Sequence, residues 1–516
     1  MSEPLRSDKK TLFGAAINPP VFLGSLAILL IGITTTVIVG EPMEDWFAAV
    51  QIQISNATGW FFILLVNLVL FFLIFVASSR FGKIRLGGKG AKTDFSRGSW
   101  FAMLFSAGMG IGLIFWGVAE PIYHFNDNPF VDNTDTIAAA KSAMGITFLH
   151  YGVHAWAIYT VVGLALAFFT FNMKLPLTIR SIFYPLLGDR IYGRWGDLID
   201  IISVIATIVG LATSLGMGAQ SVNAGLEYLF GIEYSNTAQI AIIAFITALA
   251  TASLLAGLDK GIRRLSELNL GLAIVLLIFV LIIGPTAYLL ESFVQNIGYY
   301  LDNFFKLGLW TESYQGVTND TKWQNSWTVF YYAWWIAWSP FVGIFIARVS
   351  KGRTIREFIM GVLLVPTLLT FLWMSVFGGN ALFLELAGDH SLTDAVNVNP
   401  ATAVYKLLEH FPFVAISSGL AILLVGSFFV TSSDSGSMVV DTLTSGGRHD
   451  APKIQKIFWA AMEGATASVL LLYGGLSTLQ SATTITGLAF AVILVVMVYS
   501  LYLSLNTYYD EHYPEE

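Results

Sequence analysis

Apolar segments of about 20 residues recur along the chain, and they restrict its fold more than any other feature. An α-helix needs about this length to cross the hydrocarbon core of a bilayer. Hydrophobic residues make up 55% of the 516 residues and charged residues only 12%, which excludes an ordinary soluble protein. We expect an all-α polytopic membrane protein with twelve transmembrane helices, at residues 21–41, 59–79, 99–119, 141–171, 197–227, 237–257, 267–290, 325–347, 355–378, 411–432, 455–475 and 483–506.

The distribution of lysine and arginine predicts the orientation of these spans. If both termini lie in the cytoplasm, the outside segments contain few of the 27 basic residues, namely Lys141, Lys306, Lys322 and Lys406. An excess of Lys and Arg on the cytoplasmic side is the usual determinant of topology. The first apolar run has no obvious small-residue cleavage site, so we interpret it as a retained span.

Several function classes are excluded by what the sequence lacks. Cysteine is absent, which removes disulfides, thiolate chemistry and Cys-ligated metals. No arginine-rich arm suggests nucleic acid, and no phosphate-binding loop suggests an ATP-driven pump. No catalytic triad or pair of acids stands out in the spans, so we predict that the protein is not an enzyme.

The segment SAGMGIGLIFWGVAEP, at residues 106–121, carries Gly108, Gly110 and Gly112 in alternation. One interpretation is a helix-packing face, because Gly108 and Gly112 have the GxxxG spacing. Gly110 points elsewhere, and each glycine weakens a helix by roughly 1 kcal/mol. We therefore favour an unwound stretch at membrane depth, where free backbone groups bind an ion or a substrate carboxylate.

A second segment, GSFFVTSSDSGSMVV at residues 426–440, places five hydroxyl side chains around Asp434. Hard cations such as sodium take oxygen ligands, including hydroxyls and backbone carbonyls. Serine and threonine in a span also commonly donate to carbonyls one turn earlier. The residues alone leave both interpretations open, and they leave Asp434 as either a gate or the end of a helix.

The third segment, WTVFYYAWWIAWSP at residues 327–340, is densely aromatic and has no charge. A stripe with the helical spacing i, i+4, i+7 and i+11 contains Trp327, Tyr331, Trp334 and Trp338. Spacing alone favours an aromatic packing face. Tryptophan, however, usually lies at the membrane interface rather than in mid-helix.

A second aromatic group, in HYGVHAWAIY at residues 150–159, offers a partner wall. Trp156 and Tyr159 lie one turn apart, with Tyr151 further along. Aromatic faces attract quaternary ammonium groups, and each desolvated contact contributes up to about 2 kcal/mol. The two groups together predict a box for such a ligand. His150 and His154 have a metal-site spacing, but with no carboxylate or third histidine nearby in the sequence, we interpret them as packing or hydrogen-bonding residues.

These segments resemble the betaine–choline–carnitine transporters, above all in GMGIG at 108–112, WTVFYYAWWIAWSPFVGIFIARVSKGRTIREF at 327–358 and TSSDSG at 431–436. The resemblance extends over roughly residues 15–505. It implies a secondary carrier of trimethylammonium compounds with two five-helix inverted repeats, spans 3–7 and 8–12, of the neurotransmitter–sodium-symporter type. It further implies alternating access, a homotrimer surrounded by lipid in a bacterial cytoplasmic (inner) membrane, sodium as the coupling ion and no organic cofactor.

On this basis the chain divides into six segments. We predict a cytoplasmic tail at 1–20, two peripheral helices and a basic loop at 21–98, the first repeat at 99–290, an external loop with an amphipathic helix at 291–324, the second repeat at 325–506, and a short acidic cytoplasmic tail at 507–516. The external aromatics expected at the membrane interface are Tyr299, Tyr300, Phe304 and Phe305.

The resemblance also implies roles for individual residues. The substrate box would consist of Trp156 and Tyr159 facing Trp335 and Trp338, with Trp334 and Tyr151 beside them. A substrate carboxylate would meet the unwound backbone of Met109, Gly110, Ile111 and Gly112, and Phe345 would line the cytoplasmic exit. One sodium site would use Ser106, Met109, Phe428, Thr431 and Ser432, and a second would involve Thr207 and Phe341.

Three positions depart from the family pattern. Betaine carriers commonly have tryptophan where this chain has Tyr151. The second sodium site normally uses two hydroxyls one turn apart, whereas here Leu211 follows Thr207. Val342 stands where sodium-independent carnitine exchangers have methionine, which argues against that class.

Gly112 bears on the substrate, because choline carriers of this family often have aspartate there. Glycine favours a zwitterion such as glycine betaine, although the segment TSSDSG…DTLTSGG looks more like that of some choline carriers. We predict sodium-driven symport of glycine betaine or a related solute, with a choline carrier, coupled to sodium or protons, as the alternative. Ectoine, proline betaine and dimethylsulfoniopropionate stay open. A gated channel or osmosensory receptor is the alternative from another class, but a channel requires a polar stripe that the spans lack.

Overall fold

A computed structural model describes residues 10–12, 15–108, 110–132, 134–256, 263–315, 322–448 and 452–513. Two three-residue strands near the N-terminus, β1 (Lys10–Leu12) and β2 (Ala15–Ile17), pair antiparallel. The other regular structure described is helical, with a few short 3-10 turns.

The helices of the described residues fall into two stretches of the chain. The first contains α1 (Pro19–Val39), α2 (Pro42–Ser78), α3 (Arg97–Gly108), α4 (Ile111–Asn126), α5 (Thr136–Tyr151), α6 (Val153–Phe171), α7 (Tyr184–Leu187), α8 (Arg194–Phe230), α9 (Asn236–Ala256) and α10 (Arg263–Ile283). The second contains α11 (Thr286–Asp302), α12 (Phe304–Gly308), α13 (Trp323–Ser326), α14 (Thr328–Val349), α15 (Ile355–Leu386), α16 (Ser391–Val398), α17 (Ala403–Leu408), α18 (Val414–Thr444), α19 (Lys453–Leu472) and α20 (Gly475–His512).

Ten helices in the described part of the chain are long and apolar enough to cross a membrane. This pattern supports a polytopic membrane protein. Two of the twelve predicted spans are not among the ten. The span at 99–119 is divided between α3 and α4, and the span at 455–475 forms α19, which carries Lys456 and Glu463.

Burial separates central helices from peripheral ones. The most apolar window is 94% buried both in the α5–α6 pair and in α13–α14, whereas it is only 22–28% buried in α1, α9 and α10. Apolar side chains on the peripheral helices therefore face outward, as they do where a protein meets lipid tails. The aromatic helix α14 packs against α6, α8 and α20 in the interior.

The predicted external loop is more structured and more buried than expected. It contains the end of α11 together with α12 and α13. Tyr300 is 2% exposed, and its hydroxyl lies 3.3 Å from His154 Nδ1, so its predicted interfacial position is wrong. Phe304 packs against the same histidine, whereas Phe305 is exposed. At the C-terminus, α20 runs to His512, through most of the segment predicted as a tail.

Candidate functional site

The glycine-rich segment interrupts a helix, as the sequence predicts. α3 ends at Gly108, and α4 begins at Ile111 with Gly110 as its N-cap residue, at φ −152° and ψ −147°. Met109 and the side chain of Ser106 lie outside the described residues. No side chain caps α4, so its first N–H groups lack intrahelical acceptors, and a helix N-terminus of this kind attracts negative charge.

An aromatic cavity of about 380 Å³ opens beside this interruption. Its walls come from α4, the α5–α6 pair and α14, and they carry no formal charge. The lining residues are Gly110, Gly112, Leu113, Tyr151, Ala155, Trp156, Tyr159, Trp334, Trp335 and Trp338. The fold therefore brings together eight of the eleven residues predicted for the substrate site, although they come from three separate parts of the sequence.

The rings around the cavity present both faces and edges. Trp334 and Trp335 are stacked, with ring centroids 4.6 Å apart and planes 15° apart. Tyr159 meets Trp335 edge-on at 6.2 Å and meets Trp156 edge-on at 5.4 Å. Rings at such angles can surround one compact cation with several π-faces, which is the arrangement that recognises quaternary ammonium groups.

Hydrogen bonds to backbone carbonyls fix two of these indoles. Trp335 Nε1 donates to His150 O over 2.8 Å, and Trp338 Nε1 donates to Gly210 O over 2.9 Å. A Cβ on Gly210 would lie 2.9 Å from Trp338 Cδ1, so glycine is needed for this approach. The polar edges are thus occupied by the protein, which leaves the faces for a ligand.

Tyr151 and Gly112 meet at the edge of the cavity. The Tyr151 hydroxyl donates to Gly112 O over 3.3 Å, and a Cβ on Gly112 would lie 3.1 Å from Trp334 Cη2. Any side chain at Gly112 would therefore press against the tryptophan stack.

Comparison with known proteins agrees with this site. The model of the betaine/carnitine/choline family transporters matches residues 20–510. The chain belongs to the betaine/carnitine/choline transporter family. Its family consists of transporters, not enzymes.

Curated relatives match this family member over most of its length. A glycine betaine transporter of Acinetobacter baylyi is 44% identical, covering 94% of this chain and 73% of its own. A glycine betaine transporter of Bacillus subtilis is 43% identical, covering 94% of each chain. A glycine betaine/proline/choline transporter of Vibrio parahaemolyticus is 42% identical, covering 95% of this chain and 90% of its own.

Two predicted substrate residues of this transporter do not line the cavity. The side chain of Ile111 points to α8, where a Cβ on Gly218 would lie 2.8 Å from Ile111 Cδ1. Phe345 is 8% exposed and lies on α14 two turns beyond Trp338. Its assignment to a cytoplasmic exit stays a prediction.

The first predicted sodium site lies beside the interrupted helix. Ser432 Oγ would be 3.4 Å from a Cβ on Gly110, so α18 faces the interruption at this level. Thr431 donates to Ser427 O over 2.9 Å and accepts from Asn269 Nδ2 over 2.7 Å. The bond to a carbonyl one turn earlier is thus present, yet the hydroxyl oxygen keeps one lone pair. Phe428 is buried on the same helix.

The second predicted sodium site has a less open geometry. Thr207 Oγ1 donates to Ser203 O over 2.7 Å, and the Phe341 ring packs edge-on against Trp338 at 5.6 Å. Leu211 packs directly against α18, because a Cβ on Gly436 would lie 2.2 Å from Leu211 Cδ1. Leucine at this position therefore fills space where a hydroxyl would ligate.

Asp434 is not at a helix end. It lies within α18, it is buried, and its carboxylate accepts from Ser253 Oγ over 2.6 Å and from Ser435 Oγ over 3.0 Å. The expectation of a terminal residue is wrong. The gate alternative stays a prediction.

Sequence reasoning missed a buried carboxylate next to the histidines. Glu120 Oε1 lies 2.7 Å from His150 Nδ1 and 3.1 Å from His124 Nε2, and all three side chains are fully buried. The expectation that no carboxylate lies near His150 is therefore wrong, whereas its hydrogen-bonding role is confirmed. A signal was present, because an acidic residue inside a span is rare and usually functional.

Proposed function

We propose that this protein imports glycine betaine, or a closely related trimethylammonium solute, by sodium-driven alternating access. The observation that carries the proposal is the aromatic cavity that opens beside the start of α4. Membership of a transporter family and the names of the curated relatives favour the same substrate.

The cavity suits the two ends of a zwitterion. The trimethylammonium group would lie against Trp334, Trp335 and Trp338, because a weakly hydrated cation gains from several desolvated π-faces. The carboxylate would meet the N-terminus of α4 at Gly110 and Ile111, where free N–H groups and the helix dipole favour an anion. A ligand with no net charge needs no counter-charge in the wall, in agreement with the uncharged lining.

Sodium would bind between α18 and the interrupted helix. We assign the hydroxyls of Thr431 and Ser432 with backbone oxygens of Ser106, Met109 and Phe428, because the hydroxyls lie where α18 faces the interruption. An ion there would hold the unwound backbone in the form that receives the carboxylate. One sodium moving inward through about 100 mV supplies about 2.3 kcal/mol, or roughly 50-fold accumulation. A second ion at Thr207 and Phe341 has less support.

The packing of helices supports the proposed inverted repeats. In this scheme α4, α6, α8, α9 and α10 correspond to α14, α15, α18, α19 and α20. Exchanging the two sets preserves the principal contacts: α6 packs on α14 as α15 packs on α4, α8 on α19 as α18 on α9, and α8 on α20 as α18 on α10. Two such halves can rock about a central site. The twelve-span topology, the homotrimer and cytoplasmic termini in a bacterial inner membrane belong to the same proposal.

An uptake panel tests substrate and coupling together. Proteoliposomes should accumulate radiolabelled glycine betaine faster than choline, carnitine or ectoine, and replacing external sodium with potassium should reduce uptake at least tenfold. Sodium loss removes both the ion gradient and the ordering of the unwound segment, which explains the size of the effect. Undiminished uptake in potassium would contradict sodium coupling, and preferential uptake of choline would contradict the substrate assignment.

The sodium ligands make a separate prediction. The double substitution Thr431→Ala, Ser432→Ala should raise the sodium concentration for half-maximal uptake about tenfold, because it removes two of the proposed oxygen ligands. Ser417→Ala on the same helix is the control, since its hydroxyl donates only to local carbonyls. Sodium activation curves for the three proteins provide the measurement, and an unaltered curve for the double variant would remove the site from α18.

A further inference from the structure

A buried group of titratable side chains lies next to the proposed substrate cavity and has no part in the proposed mechanism. Glu120 Oε1 accepts from the two histidine nitrogens, His150 Nδ1 and His124 Nε2, and Tyr331 donates its hydroxyl hydrogen to Glu120 Oε2. We call Glu120, His124 and His150 the Glu120 cluster. In the described part of the chain, no lysine or arginine forms an ion pair with Glu120.

The hydrogen-bond pattern leaves the Glu120 cluster one proton short of neutrality. When both histidines donate to the carboxylate, His150 Nε2 accepts from the Thr328 hydroxyl over 3.0 Å. His124 Nδ1 is then a buried acceptor, and it has no hydrogen-bond partner among the described residues. The cluster carries one negative charge that no cation offsets. A buried, unpaired charge is costly, so the cluster favours exchange of one proton with its surroundings.

Two tyrosines connect the cluster to the cavity. The Tyr331 hydroxyl lies 3.2 Å from that of Tyr151, and the Tyr151 hydroxyl reaches Gly112 O over 3.3 Å at the cavity wall. Each hydroxyl has one hydrogen to donate. When Glu120 is ionised, Tyr331 donates to it and can accept from Tyr151. When Glu120 is protonated, it can donate to Tyr331, and the hydrogens of both tyrosines turn towards the cavity.

The neighbouring helices add few other titratable groups. From α5, His150 and Tyr151 face Glu120, and from α14 Tyr331 does so. Behind His150, on α6, lies His154, whose ring nitrogens bond Tyr300 and Asn67. The α15 side chains that pack on α4 at Gly117 are Trp373 and Met374, which carry no charge. On α17, Tyr405 donates to a carbonyl of α8.

We propose that the Glu120 cluster is a proton-binding site whose occupancy sets the preference of the cavity between cationic and zwitterionic quaternary ammonium ligands. The ionised cluster attracts a ligand that carries only a positive charge, such as choline. The protonated cluster is neutral and loses this attraction, whereas a zwitterion has an anionic end that opposes it in either state. Because binding linkage is reciprocal, a bound cation also drives the proton out.

The test rests on the proposed substrate cavity and compares two ligands at two pH values. Equilibrium binding of radiolabelled choline and glycine betaine is measured on the purified transporter in saturating sodium, at about pH 5.5 and about pH 8.5, which brackets the usual range of histidine titration. The ratio of the choline Kd to the betaine Kd should be at least tenfold higher at the acid pH. In weak buffer near neutrality, choline binding should release protons.

Three variants locate the effect. Glu120→Gln should hold the Kd ratio at its acid value at both pH values, and Tyr331→Phe should weaken the pH effect by breaking the link to Tyr151. His390→Gln is the control, because this exposed histidine pairs with Glu385 over 2.8 Å and titrates away from the cavity. It should leave the ratio as in the unmodified protein.

The outcomes separate this inference from the proposed function. If neither pH supports betaine binding, the proposed function fails. If betaine binds but the ratio is independent of pH, or choline fails to bind at the alkaline pH, the inference is overturned. A pH effect that persists in Glu120→Gln overturns it as well. Should Glu120→Gln not fold, an undiminished pH effect in Tyr331→Phe has the same consequence.

Discussion

Replacing Trp335 with leucine is expected to weaken glycine betaine binding about 100-fold while the protein still folds. One desolvated cation–π contact contributes up to about 2 kcal/mol, and lost packing against the ligand brings the total to roughly 3 kcal/mol, or about two orders of magnitude in Kd. Trp335 is central to the cavity, because it stacks on Trp334 and meets Tyr159 and Tyr151 edge-on. The measurement is equilibrium binding of radiolabelled betaine to the purified protein.

Two further substitutions separate the π-face from general damage. Trp335→Phe keeps an aromatic face but loses the indole bond to His150 O, so it should show an intermediate loss. Trp60→Leu removes a tryptophan that is 58% exposed on α2 and should leave betaine binding unchanged. An unaltered betaine Kd in Trp335→Leu would show that the cavity is not the cage.

Local patterns predicted the parts of the site that depend on local chemistry. Alternating glycines at Gly108, Gly110 and Gly112 weaken a helix wherever it lies, and the structure indeed divides that span. Aromatic spacing on α14 and near Trp156 indicated two walls. Their facing each other depends on how α6 packs on α14, which no periodicity reveals.

The Glu120 cluster escaped prediction because its members are distant in sequence. His150 is 30 residues from Glu120 and Tyr331 is 211 residues away, so only the packing of α4, α5 and α14 brings them together. The same limit applies to Tyr300, whose aromatic character fits an interface until His154 supplies a buried partner. Apolar length likewise could not separate Asp434 within a long helix from a helix end.

Introducing aspartate at Gly112 is expected to convert the ligand preference of the cavity from betaine to choline. A Cβ there lies 3.1 Å from Trp334 Cη2 and 3.8 Å from the Tyr151 hydroxyl, so the new carboxylate would enter the cage itself. At about 6 Å and an effective dielectric constant near 20, a unit charge acts with roughly 3 kcal/mol. It attracts the trimethylammonium group of choline, and it repels the carboxylate of betaine. Betaine affinity should fall about 100-fold, and choline should become an effective competitor.

Steric and electrostatic effects at Gly112 can be told apart with two neutral variants. Gly112→Ala introduces only the Cβ that presses on Trp334, and Gly112→Asn has nearly the shape of aspartate without its charge. Both should weaken betaine binding because the tryptophan must shift, but neither should improve competition by choline. The decisive measurement is the choline concentration that displaces half of the bound radiolabelled betaine. If Gly112→Asp shows no gain over Gly112→Asn, the charge at this position does not select the substrate, and the shape of the aromatic walls must do so instead.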